Sequence, residues 1–131
     1  MSTFNNIQNA LNTQLNSLGG LPDIYWPNVQ NAPLVNQNFI RPTLLPARST
    51  LYTLSEGDYH HGIYQVDIFV DLKQGTAEAL LLADIVRDGF RRQSLVSSGT
   101  TVHIQEISMS TATREDNSWH VFVEINYLSV E

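Results

Sequence analysis

An α+β fold is predicted, with two helices packed on one face of a mainly antiparallel sheet of four to five strands. Two adjoining stretches carry most of that prediction. Tyr64, Val66, Ile68, Val70 and Leu72 alternate with a more polar set, Gln65, Asp67 and Asp71, beside Ile63 and Phe69. This period of two marks a strand with one buried side. After a Lys73-Gln74-Gly75 break the period changes, and Ala79, Leu82, Ala83, Val86 and Phe90 recur every three or four residues. That is the apolar stripe of a helix. A third observation is the order of elements: helix, short strands, long strand, helix, strand, strand. Helices stacked on one face of a sheet satisfy it.

The elements follow in order. Phe4, Ile7, Leu11, Leu15 and Leu18 recur at helical spacing, with Ser2 or Thr3 available as a cap and Gly19-Gly20 as a stop. A first helix is therefore expected over about residues 3–18. Pro22, Pro27 and Pro33 disfavour helix before them, leaving a short extended piece around Ile24-Tyr25-Trp26 and then a loop. Residues 39–54 contain Pro42 and Pro46, which remove ladder donors, so one or two edge strands or a bulged strand are expected. Ser55 to Gly62 reads as a turn-rich connection into the long strand. Beyond the second helix, Ser97-Ser98-Gly99 breaks the chain. Val102 and Ile104 then share one phase and Ile107 and Met109 the other, which predicts a bulge or bend near Gln105-Glu106. In the last strand Trp119, Val121, Val123, Ile125 and Tyr127 point one way, and His120, Glu124 and Asn126 the other; Arg114 to Ser118 form the turn before it. With 131 residues and no repeat or low-complexity linker, residues 1–131 are expected to be one domain.

Composition narrows the function classes. The net charge is −6 and Lys73 is the sole lysine, which argues against specific nucleic-acid binding through a clustered basic face. The one basic cluster, Arg87, Arg91 and Arg92, falls at the end of the second helix, with Asp84 and Asp88 three or four residues before it. It reads as a solvated helix end complementing the dipole. The absence of cysteine excludes disulfides, thiolate metal sites and cysteine nucleophiles. No run approaches the roughly 18 apolar residues of a membrane span, and the N-terminal stretch lacks a basic region followed by an apolar run, so neither a membrane partner nor a secretory signal is expected. Thirteen of the nineteen Asn and Gln residues precede position 39, where Asp23 is the only charged side chain. That third is either a loosely ordered soluble stretch or a surface that packs on a neighbouring subunit.

Little chemistry is legible. His60 and His61 are adjacent and would point in opposite directions in an extended segment. A metal site on His103 and His120 needs a converging carboxylate or third histidine, itself held by hydrogen bonds, and Glu124 on the strand face of His120 leaves that barely open. Asp67 and Asp71 share a strand face roughly 13 Å apart at about 3.3 Å per residue, too far to be a coupled acid–base pair, and a wet sheet face accounts for both. Acyl-transfer and nucleotide-binding motifs are missing. No enzyme activity, catalytic residue, cofactor or metal is therefore predicted. Tyr25-Trp26, Tyr59 and Phe69 suggest protein contacts instead, because exposed aromatics are enriched at interfaces.

The run from Gly62 to Phe90 resembles the central strand–helix unit of bacteriophage tail-terminator proteins. The residues that carry the resemblance are Gly62, Tyr64, Gln65, Val66, Asp67, Ile68 and Phe69, then Gly75, Ala79, Leu82, Ala83, Asp84 and Val86. The closing strand with Trp119 and Tyr127 is similar as well. The resemblance implies a structural virion protein that forms a ring, usually a homohexamer, at the head-proximal end of the tail tube. Such a ring ends tube polymerisation and offers a docking surface for the head connector, so the tail tube protein and the head–tail connector are the expected partners besides the chain itself. The subunit interface is expected on the second sheet face and the 55–62 connection, with Tyr59, His60, His61, Asp67, Phe69 and Asp71 as candidates. Two alternatives stay open: another neck component, such as a head- or tail-completion protein, and a small-molecule-binding or enzymatic α+β domain.

Overall fold

The computed structural model describes residues 3–26, 38–51, 58–97, 99–115 and 118–130. Helix α1 (Thr3–Ser17) leads to a two-residue strand, β1 (Asp23–Ile24), and to β2 (Phe39–Leu51). The long strand β3 (Asp58–Asp71) passes through a 3₁₀ turn, Leu72–Gln74, into α2 (Gly75–Phe90). Strands β4 (Ser94–Ser97), β5 (Thr100–Met109), β6 (Thr113–Glu115) and β7 (Ser118–Val130) complete the chain. The predicted loop around Pro27 and Pro33, residues 55–57 of the predicted connection, and Asp116-Asn117 of the predicted turn lie outside the described residues.

The predicted α+β class holds, but the sheet is larger and not wholly antiparallel. Its seven strands run β1-β2-β3-β7-β5-β4, with β6 alongside the start of β7. Strand β1 pairs parallel with β2, whereas the other pairings are antiparallel. The extra strands are the short ones. Two residues of β1 and three of β6 are too few to show a period. Ser94–Ser97 leads into the predicted break at Ser97-Ser98-Gly99 and pairs with Thr100–His103 as a hairpin arm. The predicted connection is also shorter than expected, because β3 already begins at Asp58. Residues 39–51 form one strand with a register shift between Pro46 and Ser49, the bulged alternative of the two considered.

The core lies between the helices and one face of the sheet. Tyr64, Val66, Ile68 and Val70 of β3 and Val121, Val123, Ile125 and Tyr127 of β7 are buried on that face. Ile7, Leu11 and Leu15 of α1 and Ala79, Leu82, Ala83, Val86 and Phe90 of α2 close over them. The turn before α2 needs Gly75, whose φ of +78° lies where side-chain-bearing residues are strained; Asp71 caps the same turn by accepting from the Lys73 amide at 3.4 Å. In β5 the predicted slip is a bulge. Ile104 pairs with Tyr127 and Ile107 with Ile125, so Gln105 and Glu106 together oppose Asn126 alone, and Val102, Ile104, Ile107 and Met109 all reach the helix side.

Three side-chain amides of α1 bind within the molecule. Asn6 Nδ2 donates to Thr100 Oγ1 (3.2 Å), Asn12 Oδ1 accepts from the Tyr64 hydroxyl (2.5 Å), and Gln14 Nε2 donates to the Gly89 carbonyl (2.6 Å). They tie α1 to β5, β3 and α2 in turn. For this helix, part of the polar richness is intramolecular clamping, a reading that composition alone did not offer. No helix of the described residues is long and apolar enough to cross a membrane.

Candidate interface on the helix-free sheet face

Both helices pack on one face, so the other face is built from the alternate residues of β2, β3 and β7. Register decides what meets there. Phe39 lies opposite Phe69, and Phe69 opposite His120, the directly opposed pairs that let rings stack across a sheet. Phe39 and Phe69 stack with centroids 4.6 Å apart, and Phe69 and His120 stack at 4.5 Å with planes only 4° apart. Tyr25 meets Phe39 edge-on at 5.4 Å, and Phe122 lies 6.1 Å from the imidazole. The Arg41 guanidinium sits 5.7 Å and 5.9 Å from the Phe39 and Phe69 centroids, within range of cation–π attraction.

A polar pair flanks this ladder. His120 Nε2 lies 2.8 Å from Asp67 Oδ1, with each side chain only 15% exposed. A carboxylate only accepts, so the imidazole nitrogen carries the hydrogen. Gln65 Nε2 donates to the same oxygen at 3.0 Å. The expectation that Asp67 is simply wet is thus incorrect: a histidine from the next strand covers it. The result is a row of stacked rings on the helix-free face, with Phe39 buried, Phe69, His120 and Phe122 half-buried, and the Asp67–His120 bond at its flank.

The six candidate residues do not form one patch. Phe69 and Asp67 belong to the ladder. Asp71 lies at the end of the same strand, where it caps the 3₁₀ turn and its amide donates to Asn38 Oδ1 at 3.0 Å. His61 lies eight residues from Phe69 along β3, roughly 26 Å at about 3.3 Å per residue. It is exposed and lines a shallow cleft of about 420 Å³ with Ile63, Gln105, Asn126 and Leu128. His60 is buried, as expected for neighbours on opposite faces. Tyr59 pairs through its backbone with Thr50 and Val130, and its side chain lies outside the described residues.

The trio weighed as metal ligands, His103, His120 and Glu124, is also dispersed. His103 is exposed, lies 3.1 Å from Ser94 Oγ and pairs across the sheet with Leu128, eight residues from His120 along β7. Glu124 lies opposite Gln65 and Ser108. Among the described residues no three His, Asp or Glu side chains converge on one point. Sequence reasoning missed Phe39, Arg41 and the partnership of His120 with Asp67 and Phe69. The available signal was that each ring falls on the same alternate phase of its own strand; the pairing register that aligns them is not readable from one strand at a time.

The comparisons with known proteins agree with this architecture. A family model described as phage tail terminator protein matches residues 6–127. The chain belongs to the phage tail terminator protein family. This membership gives it a structural role in the phage tail and makes it a component of the virion. A solved structure aligns with the tail terminator chain at a TM-score of 0.73 and 23% identity, covering 95% of this chain and 93% of the other, which supports the fold. No curated protein shows significant similarity to it.

Proposed function

We infer that the protein acts as a tail terminator in the full sense: copies close into a ring, a hexamer by family expectation, on the head-proximal end of the tail tube. The ring ends tube polymerisation and presents the docking surface for the head connector. The family match over residues 6–127 carries this reading. Physical features support it. A ring of identical subunits needs two different complementary surfaces on each copy, and the aromatic ladder of Phe39, Phe69 and His120 is one rigid candidate. The sheet also has incompletely covered margins, since among the described residues the only strand outside β2 is β1, at Phe39 and Ile40. The net charge of −6 suits a lumen that lets the genome pass without adhering.

Assembly gives the direct test. Mass photometry of the purified protein at micromolar concentration is expected to show a closed oligomer, and Phe69→Glu to shift it toward monomer while circular dichroism stays unchanged. A wild-type protein that is strictly monomeric at every concentration contradicts the ring.

A further inference from the structure

A second concave surface lies away from the aromatic ladder, between the end of α2 and the bulge of β5. It is a cleft of about 260 Å³ lined by Arg87, Arg91, Arg92, Ile104, Gln105 and Ile107. Three of the chain's seven cations therefore line one cleft. Arg87 is engaged by Asp84 at 3.4 Å and Asp88 at 3.3 Å. Arg91 and Arg92 are exposed and form no ion pair among the described residues.

Dipole complementation explains cations in the last helical turn, but it leaves two features unexplained. Arg92 has a φ of +59°, the one non-glycine residue with positive φ among those described. It follows the C-cap Arg91, the position where helices most often place glycine because a Cβ is strained there. An arginine kept where glycine is conformationally cheaper indicates that its side chain is wanted. The local backbone is also held, with the Gln93 amide on the Phe90 carbonyl (3.2 Å) and the Ile104 amide on the Gln93 carbonyl (3.0 Å).

The second feature is the bulge. A strand one residue shorter would bring Ile107 and Met109 to the same helix-facing side without it, so apolar phase does not require the extra residue. What the extra residue does is shape the edge: Gln105 lines this cleft, and Glu106 is not among its walls. Bulges recur where an edge must be shaped for function.

We propose that this cleft receives an acidic, partly apolar segment of a second copy of this chain. The proposal rests on the ring reading above and identifies the cationic half of its subunit contact. Charge chooses the occupant. With thirteen acidic residues against seven basic ones, copies repel on average, and this cluster is where one copy offers the opposite sign to the next. Ile104 and Ile107 in the wall favour a carboxylate beside an apolar side chain over the uniformly charged backbone of a nucleic acid.

Sedimentation velocity of wild type, Arg92→Gly and the double reversal Arg91→Glu/Arg92→Glu, at low and high salt, tests it alongside thermal melts. Arg92→Gly is expected to melt at or above the wild-type temperature yet associate at least tenfold more weakly. The double reversal is expected to be monomeric at micromolar concentration, and wild-type association to weaken with salt. Variants that assemble like a ring-forming wild type overturn the cleft and leave the ring reading intact. A wild type that never assembles overturns both. Wild-type binding to a labelled DNA duplex that disappears in the variants also overturns the proposal, because the cleft would then be a phosphate site.

Discussion

Two buried tyrosines on the helix-facing side differ in one bond. The Tyr64 hydroxyl donates to Asn12 Oδ1, whereas the Tyr127 hydroxyl is buried without a partner among the described residues. A buried hydroxyl without a partner costs about 1–3 kcal/mol, and a made bond contributes about 1 kcal/mol. Tyr64→Phe is therefore expected to lose about 1 kcal/mol in urea unfolding, and Tyr127→Phe to be neutral or stabilising. Burial pushes the Tyr127 phenol up to about 12 and Tyr64 further above its ordinary value. The folded state thus keeps protons that the unfolded chain releases near pH 10. The stability these groups confer is complete below about pH 10 and is lost as pH rises toward 12. The slope is about 1.4 kcal/mol per pH unit for each phenol. Urea melts between pH 9 and 11.5 check this, with a shallower decline expected in Tyr127→Phe. At this scale the sequence shows which face each residue occupies, as with Tyr64 inside and Phe69 outside. It does not show that His120 will meet Asp67, fifty-three positions away, because that depends on the β3–β7 register.

Elements with a long period were readable, and short ones were not. Both helices lie close to where their apolar stripes place them, and the bulge in β5 was visible as a slip between Ile104 and Ile107. Strand β1 was legible only as a short extended piece near Ile24, and β4 and β6 escaped, because two to four residues carry no period and depend on their neighbours for definition. The helix–helix contact was equally hidden. A methyl added at Gly89 would land on the Leu18 side chain, so this glycine lets α1 and α2 approach, and its carbonyl accepts from Gln14 at the same place. Gly89→Ala gains up to about 1 kcal/mol of helix propensity against roughly 1–3 kcal/mol of overpacking. A net loss of about 1 kcal/mol is expected in chemical denaturation, relieved when Leu18→Ala is added. Deleting Gln105 tests the bulge: the four apolar residues of β5 keep their facing, so a cooperative melt is expected to survive while self-association weakens.

The described residues form a seven-stranded sheet with helices on one side and a ladder of rings on the other. The strand–helix run from Gly62 to Phe90 made the fold class legible, and the resemblance it carries agrees with the family match over residues 6–127. The surfaces proposed to join copies were less legible. The candidate residues split between two ends of β3, and the cationic cleft arises from residues that in sequence look like an ordinary helix end. The proposed closed ring demands two unlike surfaces on each copy, and the aromatic ladder and the cationic cleft are the two proposed for it. Capping of the tail tube is the central claim, and tube length measures it most directly. Purified tail tube protein polymerised with increasing amounts of this protein, imaged by negative stain, is expected to give shorter tubes with density at one end only. Tubes of unchanged length with bare ends would contradict the account.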